Sequence, residues 1–209
     1  MSSDWAEENL QVIRTLMERS ALYRRRLAPL MMLGAAGAIG GGLVGSLLKL
    51  SSAREFVLLW GGIAVLVLVG AGWVTRGQAI RAGEVFWTAP TRRIFAAFLP
   101  VLLVGGALGG TCLVGPASEA AGSRILLIVS WSILFGLGLH SAGFCVAKGV
   151  RRLGWAFVLA GSALGVYVLN RGVEGIPVSP SLLMAAIFGG LHLVSAVYLF
   201  FTEAKDEVS

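Results

Sequence analysis

The stretch FVLLWGGIAVLVLVGAGWVT, residues 56–75, contains 20 residues and no charged side chain. A helix rises about 1.5 Å per residue, so about 20 apolar residues are enough to cross a hydrocarbon core roughly 30 Å thick. The stretch shows no alternation of apolar and polar residues, which a half-buried strand would need. It therefore predicts an α-helix that spans a membrane.

Five more apolar runs of similar length lie at residues 27–48, 94–114, 125–147, 153–170 and 181–201. The whole chain of 209 residues is 56% hydrophobic and 13% charged, with a mean hydropathy of +0.83. Charged residues make up about a quarter of a soluble globular protein. We therefore predict an all-α membrane protein: a cytoplasmic amphipathic helix at 1–26, a bundle of six transmembrane helices at 27–202, and a cytoplasmic tail at 203–209.

The lysines and arginines indicate how the six spans are oriented. Cytoplasmic loops of membrane proteins carry more Lys and Arg than external loops do. Thirteen basic residues fall on one side of the predicted topology and four, Lys49, Arg54, Arg124 and Arg171, on the other. We expect both termini in the cytoplasm. Attraction to anionic lipids of the inner leaflet then explains the net charge of +6. We expect no nucleic acid as a partner.

Arginine pairs precede the first, third and fifth spans, at residues 25–26, 92–93 and 151–152. The fourth and sixth spans share the sequence Gly-Leu-His, at residues 138–140 and 190–192. This pattern favours three antiparallel hairpins of one orientation. Membrane topology alone also explains the arginine pairs.

Glycines four residues apart recur on the predicted helices. Small residues at i and i+4 share a helix face and allow two backbones to approach closely, which promotes helix association in lipid. We predict that they serve helix packing, with a dimer face or a glycine-lined path as alternatives. The positions are Gly37, Gly41, Gly45, Gly105, Gly109, Gly161 and Gly165.

Two segments lie outside the predicted spans on the cytoplasmic side. The first, DWAEENLQVIRTLMERSALYRRR at residues 4–26, predicts an amphipathic helix that begins with acidic and ends with basic residues, as the helix dipole favours. The second, RGQAIRAGEVFWTAPTRR at residues 76–93, places aromatic residues among arginines. Both suit contact with anionic lipid or with a cytosolic partner. The contact residues that we predict are Leu10, Ile13, Met17, Arg24, Arg25, Arg26, Phe86 and Trp87.

The segment IRTLMERSALYRRRLAPLMMLGAAGAIGG, residues 13–41, resembles the amino terminus of a group of small bacterial polytopic membrane proteins. In that group a juxtamembrane Leu-Met-Glu-Arg-Ser stretch leads into a first span rich in glycine and alanine. Residues 86–100, FWTAPTRRIFAAFLP, add a weaker match. The resemblance implies a protein of the bacterial inner membrane and hints at a small cytosolic regulatory protein as partner. It brings no assigned activity and no catalytic residue.

His140 and His192 are the two histidines of the chain, and both lie in predicted spans among small residues. Polar residues within a membrane usually face the protein interior. Three roles remain open: a structural imidazole, a proton-titrating pair in a transporter, and bis-histidine ligation of a haem. A zinc site needs at least three protein ligands. Since no Asp or Glu lies inside any predicted span, we predict no metal site.

The lack of carboxylates in the predicted spans also argues against catalysis and ion-coupled transport, because both commonly use acidic groups. We therefore predict a non-enzymatic, multi-pass protein of the bacterial inner membrane with a regulatory or scaffolding role. It would act through its N-terminal helix and residues 76–93, alone or as a homo-oligomer, without a cofactor. The alternatives are a small-solute transporter or channel with His140 and His192 in its path and, third, a bis-histidine haem protein.

Overall fold

The computed structural model describes residues 27–83, 85–118, 120, 122–144 and 148–206. The amphipathic helix predicted at residues 1–26 lies outside these ranges. The predicted contact residues outside them are Leu10, Ile13, Met17, Arg24, Arg25 and Arg26.

The described part of the chain contains six long helices. The first five are α1, Ala28–Leu47; α2, Ala53–Arg81; α3, Ala89–Val114; α4, Ser123–Ala142; and α5, Lys148–Arg171. The sixth, α6, has three consecutive parts: Pro180–Met184, a π-helical turn at Ala185–Gly189, and Gly190–Asp206. Each of the six is long and apolar enough to cross a membrane. This confirms the prediction of six helices of membrane-spanning length.

The ends of α2 follow from its sequence. Ser52 Oγ accepts a hydrogen bond from Glu55 N at 3.2 Å, and the Glu55 carboxylate accepts one from Ser52 N at 3.2 Å. This capping box satisfies backbone donors that the first turn would otherwise leave free. At the other end Gly83 has a φ of +65°, a left-handed conformation that commonly ends a helix. α2 therefore continues to Arg81, past residue 75, where the sequence predicted the span to end.

The backbones of α4 and α5 are in direct contact, and the two helices are antiparallel. A Cβ atom on Gly154 would lie 2.6 Å from His140 N and 2.7 Å from Gly136 O. Directly after the end of α4, a Cβ atom on Gly143 would lie 2.7 Å from Arg151 N. Only glycine fits at such distances, so these two positions set how closely the helices approach.

α1 and α6, the first and last of the described helices, also pack through glycines. A Cβ atom on Gly34 would lie 2.8 Å from His192 Cδ2, and one on Gly189 would lie 2.7 Å from Ile39 Cγ1. The π-helical turn of α6 ends at Gly189 and is therefore part of this contact. Turns of this kind are rare and widen the helix locally.

Further neighbouring pairs are α1 with α2, α2 with α3, α3 with α4, and α5 with α6, and smaller contacts join α4 with α6 and α2 with α4. In the α3–α4 pair, Trp131 Nε1 donates a hydrogen bond to Gly105 O at 2.9 Å. The most extensive contacts join α4 with α5 and α1 with α6. The three-hairpin interpretation assigns the helices of these two pairs to different hairpins, and it stays a prediction.

Two clusters of buried apolar side chains fill the bundle. One includes Phe56 and Ile128, which are fully buried, and the other surrounds Phe157 with Met31 and Leu139. The outer faces of α2 and α3 are apolar and exposed, and an exposed apolar surface of this extent is typical of membrane contact. Its side chains include Val65, Leu66, Val69, Leu102, Leu103 and Val104.

We predict that Gly154→Ala destabilises the bundle by about 1–3 kcal/mol, the usual cost of overpacking a close contact. The added methyl group would press on the α4 backbone. Gly149→Ala is the matched control on the same helix, because a Cβ atom there meets nothing within 4 Å. The measurement is thermal unfolding of the purified protein in detergent, followed by tryptophan fluorescence. Equal melting temperatures for the two variants would contradict the backbone contact.

Candidate functional site

His192 lies on α6 in an aromatic pocket and is 8% exposed. Its ring centroid is 5.5 Å from that of Phe135 on α4 and 5.3 Å from that of Phe157 on α5. Phe188 completes the pocket, with ring centroids 5.4 Å from Phe135 and 4.9 Å from Phe157. The imidazole therefore joins three helices through ring contacts.

One nitrogen of His192 is held by the backbone of its own helix. His192 Nδ1 is 2.7 Å from Phe188 O, so the tautomer that donates from Nδ1 satisfies this bond. The other edge of the ring faces α1, where a Cβ atom on Gly34 would lie 3.1 Å from His192 Nε2. Glycine at position 34 therefore makes room for the imidazole.

His140 lies near the end of α4, in different surroundings. Its ring centroid is 5.3 Å from that of Phe144 and 5.3 Å from that of Trp155 on α5. The side chain is half-buried, and its Nδ1 atom is buried without a hydrogen-bond partner among the described residues. The same holds for Trp60 Nε1 and Ser132 Oγ in the interior.

The structure does not bring the two imidazoles together. Phe135, five residues before His140 on α4, is the residue of that helix that contacts His192. Five residues correspond to about 140° around a helix, so His140 and Phe135 leave α4 on different sides. On α5, Trp155 contacts His140 and Phe157 contacts His192. Neither a shared proton nor a haem held between two axial imidazoles fits rings that have separate neighbours.

Metal-ligating side chains are not clustered in the described ranges. No group of three His, Cys, Asp or Glu residues there could hold a metal ion. Cys112 is buried near the end of α3, and Cys145 lies outside the described residues.

The seven glycines predicted for packing all face other helices. Gly37 and Gly41 of α1 lie against Ile63 of α2, and Gly45 lies against Ser181 of α6. Gly105 and Gly109 of α3 lie against Trp131, Gly161 lies against Ser132, and Gly165 lies against Val129.

Sequence reasoning missed three glycines at the contact between α4 and α5: Gly136, Gly143 and Gly154. Gly136 in α4 and Gly143, directly after that helix, are seven residues apart. Gly154 and Gly161 of α5 have the same spacing, and of these four only Gly161 was predicted for packing. A seven-residue spacing returns to nearly the same side of a helix after two turns. A search for glycines at that spacing on neighbouring helices would have found this pair of surfaces.

Phe86 and Trp87 lie at the connection between α2 and α3, and Trp87 is 51% exposed. Its ring centroid is 6.3 Å from that of Phe86 and 6.0 Å from that of Phe95. Arg92 and Arg93, in the first turn of α3, are also exposed. We call these five residues the aromatic-arginine surface. It lies at the end of the bundle where α1, α3 and α5 begin, which we call the basic end.

The chain matches no protein-family model, no curated protein and no solved structure. Its sites are therefore interpreted from their own chemistry.

We predict that His192→Phe lowers the free energy of unfolding by less than about 1.5 kcal/mol. The substitution keeps a ring in the apolar pocket and loses only the hydrogen bond to Phe188 O. His192→Ala should cost about 2–4 kcal/mol, because it leaves a cavity beneath three phenylalanine rings. His140→Ala should cost less than His192→Ala, since His140 is half-buried. Thermal unfolding of the three variants tests this order, and an equal loss in His192→Phe and His192→Ala would show that the nitrogen, not the packing, matters.

Proposed function

We propose that this chain is a non-enzymatic, multi-pass protein of the bacterial inner membrane that acts as a scaffold. It would hold the aromatic-arginine surface, together with its N-terminal segment, at the cytoplasmic face for a protein partner. The observation that carries the proposal is the exposed cluster of Phe86, Trp87 and Phe95 beside Arg92 and Arg93.

The chemistry of this surface supports a protein partner. Aromatic residues and arginine are enriched at protein interfaces and supply most of their strongest contacts. The arginines would guide and orient an acidic partner surface. The Trp87 ring contacts the rings of Phe86 and Phe95, so little side-chain freedom would be lost on binding.

The bundle itself supports a structural role. Backbone contact between α4 and α5, and glycine-mediated contact between α1 and α6, hold the interior closely packed. A solute path along either interface would have to separate helices at glycines that already touch the facing helix. The exposed apolar faces of α2 and α3 fit a hydrocarbon environment.

The proposed orientation can be tested at two exposed valines. Val85 lies beside the aromatic-arginine surface, and Val178 lies between α5 and α6 at the other end. In a chain whose own cysteines are replaced by alanine, we expect a membrane-impermeant maleimide to label Val178→Cys from outside intact cells. Val85→Cys should react only after the membrane is opened. Labelling of both from outside would contradict the orientation.

The partner surface can be tested by photo-crosslinking in the host membrane. We expect benzoylphenylalanine at Trp87 to give a discrete protein adduct, and we expect Arg92→Glu with Arg93→Glu to abolish it by reversing the charge. The matched control is the same probe at Trp73, which is 80% exposed on α2 and should give lipid adducts only. If both positions give the same adducts, or Trp87 gives only lipid, the scaffold proposal fails.

A further inference from the structure

Four side chains form a second surface cluster at the basic end, where α4 and α5 meet. The His140 ring contacts the rings of Phe144 and Trp155 edge-on, with centroids 5.3 Å apart in each case. The guanidinium carbon of Arg151 lies 5.2 Å from the centroid of the Phe144 ring. We call His140, Phe144, Arg151 and Trp155 the turn cluster. It shares no residue with the aromatic-arginine surface.

The backbone contact between α4 and α5 places these side chains side by side. A Cβ atom on Gly143 would lie 2.7 Å from Arg151 N, and one on Gly154 would lie 2.6 Å from His140 N. The first turn of α5 is therefore held directly against the last turn of α4. Because both glycines lie in the backbone contact between α4 and α5, the packing of the two helices holds the cluster together.

The cluster has polar groups that the described protein does not satisfy. The carboxylates whose side chains the structure describes, Glu55 and Glu174, both lie at the opposite end of the bundle. Arg151 therefore has a cation–π contact with Phe144 and no described carboxylate near it. His140 Nδ1 is buried without a described partner, so Nε2 is the nitrogen on the accessible edge of the half-buried ring.

We propose that the turn cluster binds the phosphate of an anionic glycerophospholipid in the leaflet at the basic end. The Arg151 guanidinium donates to the phosphate oxygens, as arginine commonly does, and His140 Nε2–H donates a further hydrogen bond. The first turn of α5 adds the favourable end of a helix dipole. This inference rests on the membrane insertion proposed above and is independent of any protein partner.

The aromatic side chains favour a lipid over a free anion. Trp155 is 54% exposed and Phe144 is 68% exposed, so both rings present an open face beside Arg151 and His140. Tryptophan beside basic residues is typical of the headgroup level of a membrane. The rings would contact the glycerol backbone and upper acyl chains, while Arg151 and His140 contact the phosphate. A free phosphate would leave both rings unused.

The test is native mass spectrometry of the full-length protein in detergent, titrated with phosphatidylglycerol or phosphatidylcholine. We expect phosphatidylglycerol to bind more tightly to the wild-type protein. Arg151→Gln should weaken it about fivefold, the usual contribution of one basic residue near an anionic membrane. Arg171→Gln is the matched control, with the same charge change at the opposite end of α5. It should leave the affinity unchanged.

Two further variants distinguish loss of the binding site from loss of folding and from a change in net charge. Arg151→Lys keeps the charge and should retain most of the affinity. His140→Phe keeps a ring against Trp155 but removes both nitrogens, and it should weaken binding even if Arg151→Gln does not fold. An equal loss in Arg171→Gln, or equal binding of both lipids by the wild type, would overturn the proposal. Displacement of the lipid by millimolar inorganic phosphate would assign the cluster to a free anion and would also overturn it.

A photoactivatable phosphatidylglycerol locates the bound lipid. With the reactive group near the glycerol backbone, we expect adducts on peptides that contain Phe144 or Trp155. Adducts confined to other helices would show that the tighter lipid binds elsewhere, and the proposal would fail.

Discussion

The backbone contact between α4 and α5 determines much of the rest of the structure. Because Gly136 and Gly154 lie against each other, the two helices approach more closely than any larger side chain would allow. Dispersion and weak backbone interactions then act over the length of the contact, which matters where lipid provides no hydrophobic driving force. The same contact fixes the positions of Phe135 and Phe157, whose ring centroids are 5.0 Å apart.

The aromatic cluster connects this helix pair to α6 and α1. Phe188 and His192 of α6 complete the set of rings that Phe135 and Phe157 begin, and Gly34 of α1 leaves space for the imidazole edge. An aromatic ring of similar shape could therefore fill the position of His192. The imidazole adds one hydrogen bond to the backbone of its own helix. His140, in contrast, lies at the rim with Arg151 and two exposed rings. The two histidines share a Gly-Leu-His sequence but occupy different chemical environments.

The sequence predicted six spans because hydrophobicity over about 20 residues is a local property. It could not predict that His140 and His192 face different neighbours, because the direction of a side chain depends on how whole helices rotate against one another. The search for glycines at i and i+4 identified Gly37 and Gly105 as contact positions. It missed Gly136 and Gly154, because the next glycine on the same side of each lies seven residues further on. The π-helical turn at Ala185–Gly189 was not predicted either, because the apolar residues of this span match an ordinary α-helix equally well.

The pairing of α1 with α6 has a consequence for biosynthesis. The surface of α1 that includes Gly34 has its partner on α6, which is synthesised after the other five described helices. More than a hundred residues separate Leu47 from Pro180, so α1 is synthesised on the order of ten seconds before that partner. During this interval Gly34 and Gly42, which face α6, lack their partner, whereas Gly37 and Gly41 can already pack against α2. Packing of the described bundle is therefore completed only when α6 joins α1, and a chain interrupted before α6 would leave the α6-facing side of α1 uncovered.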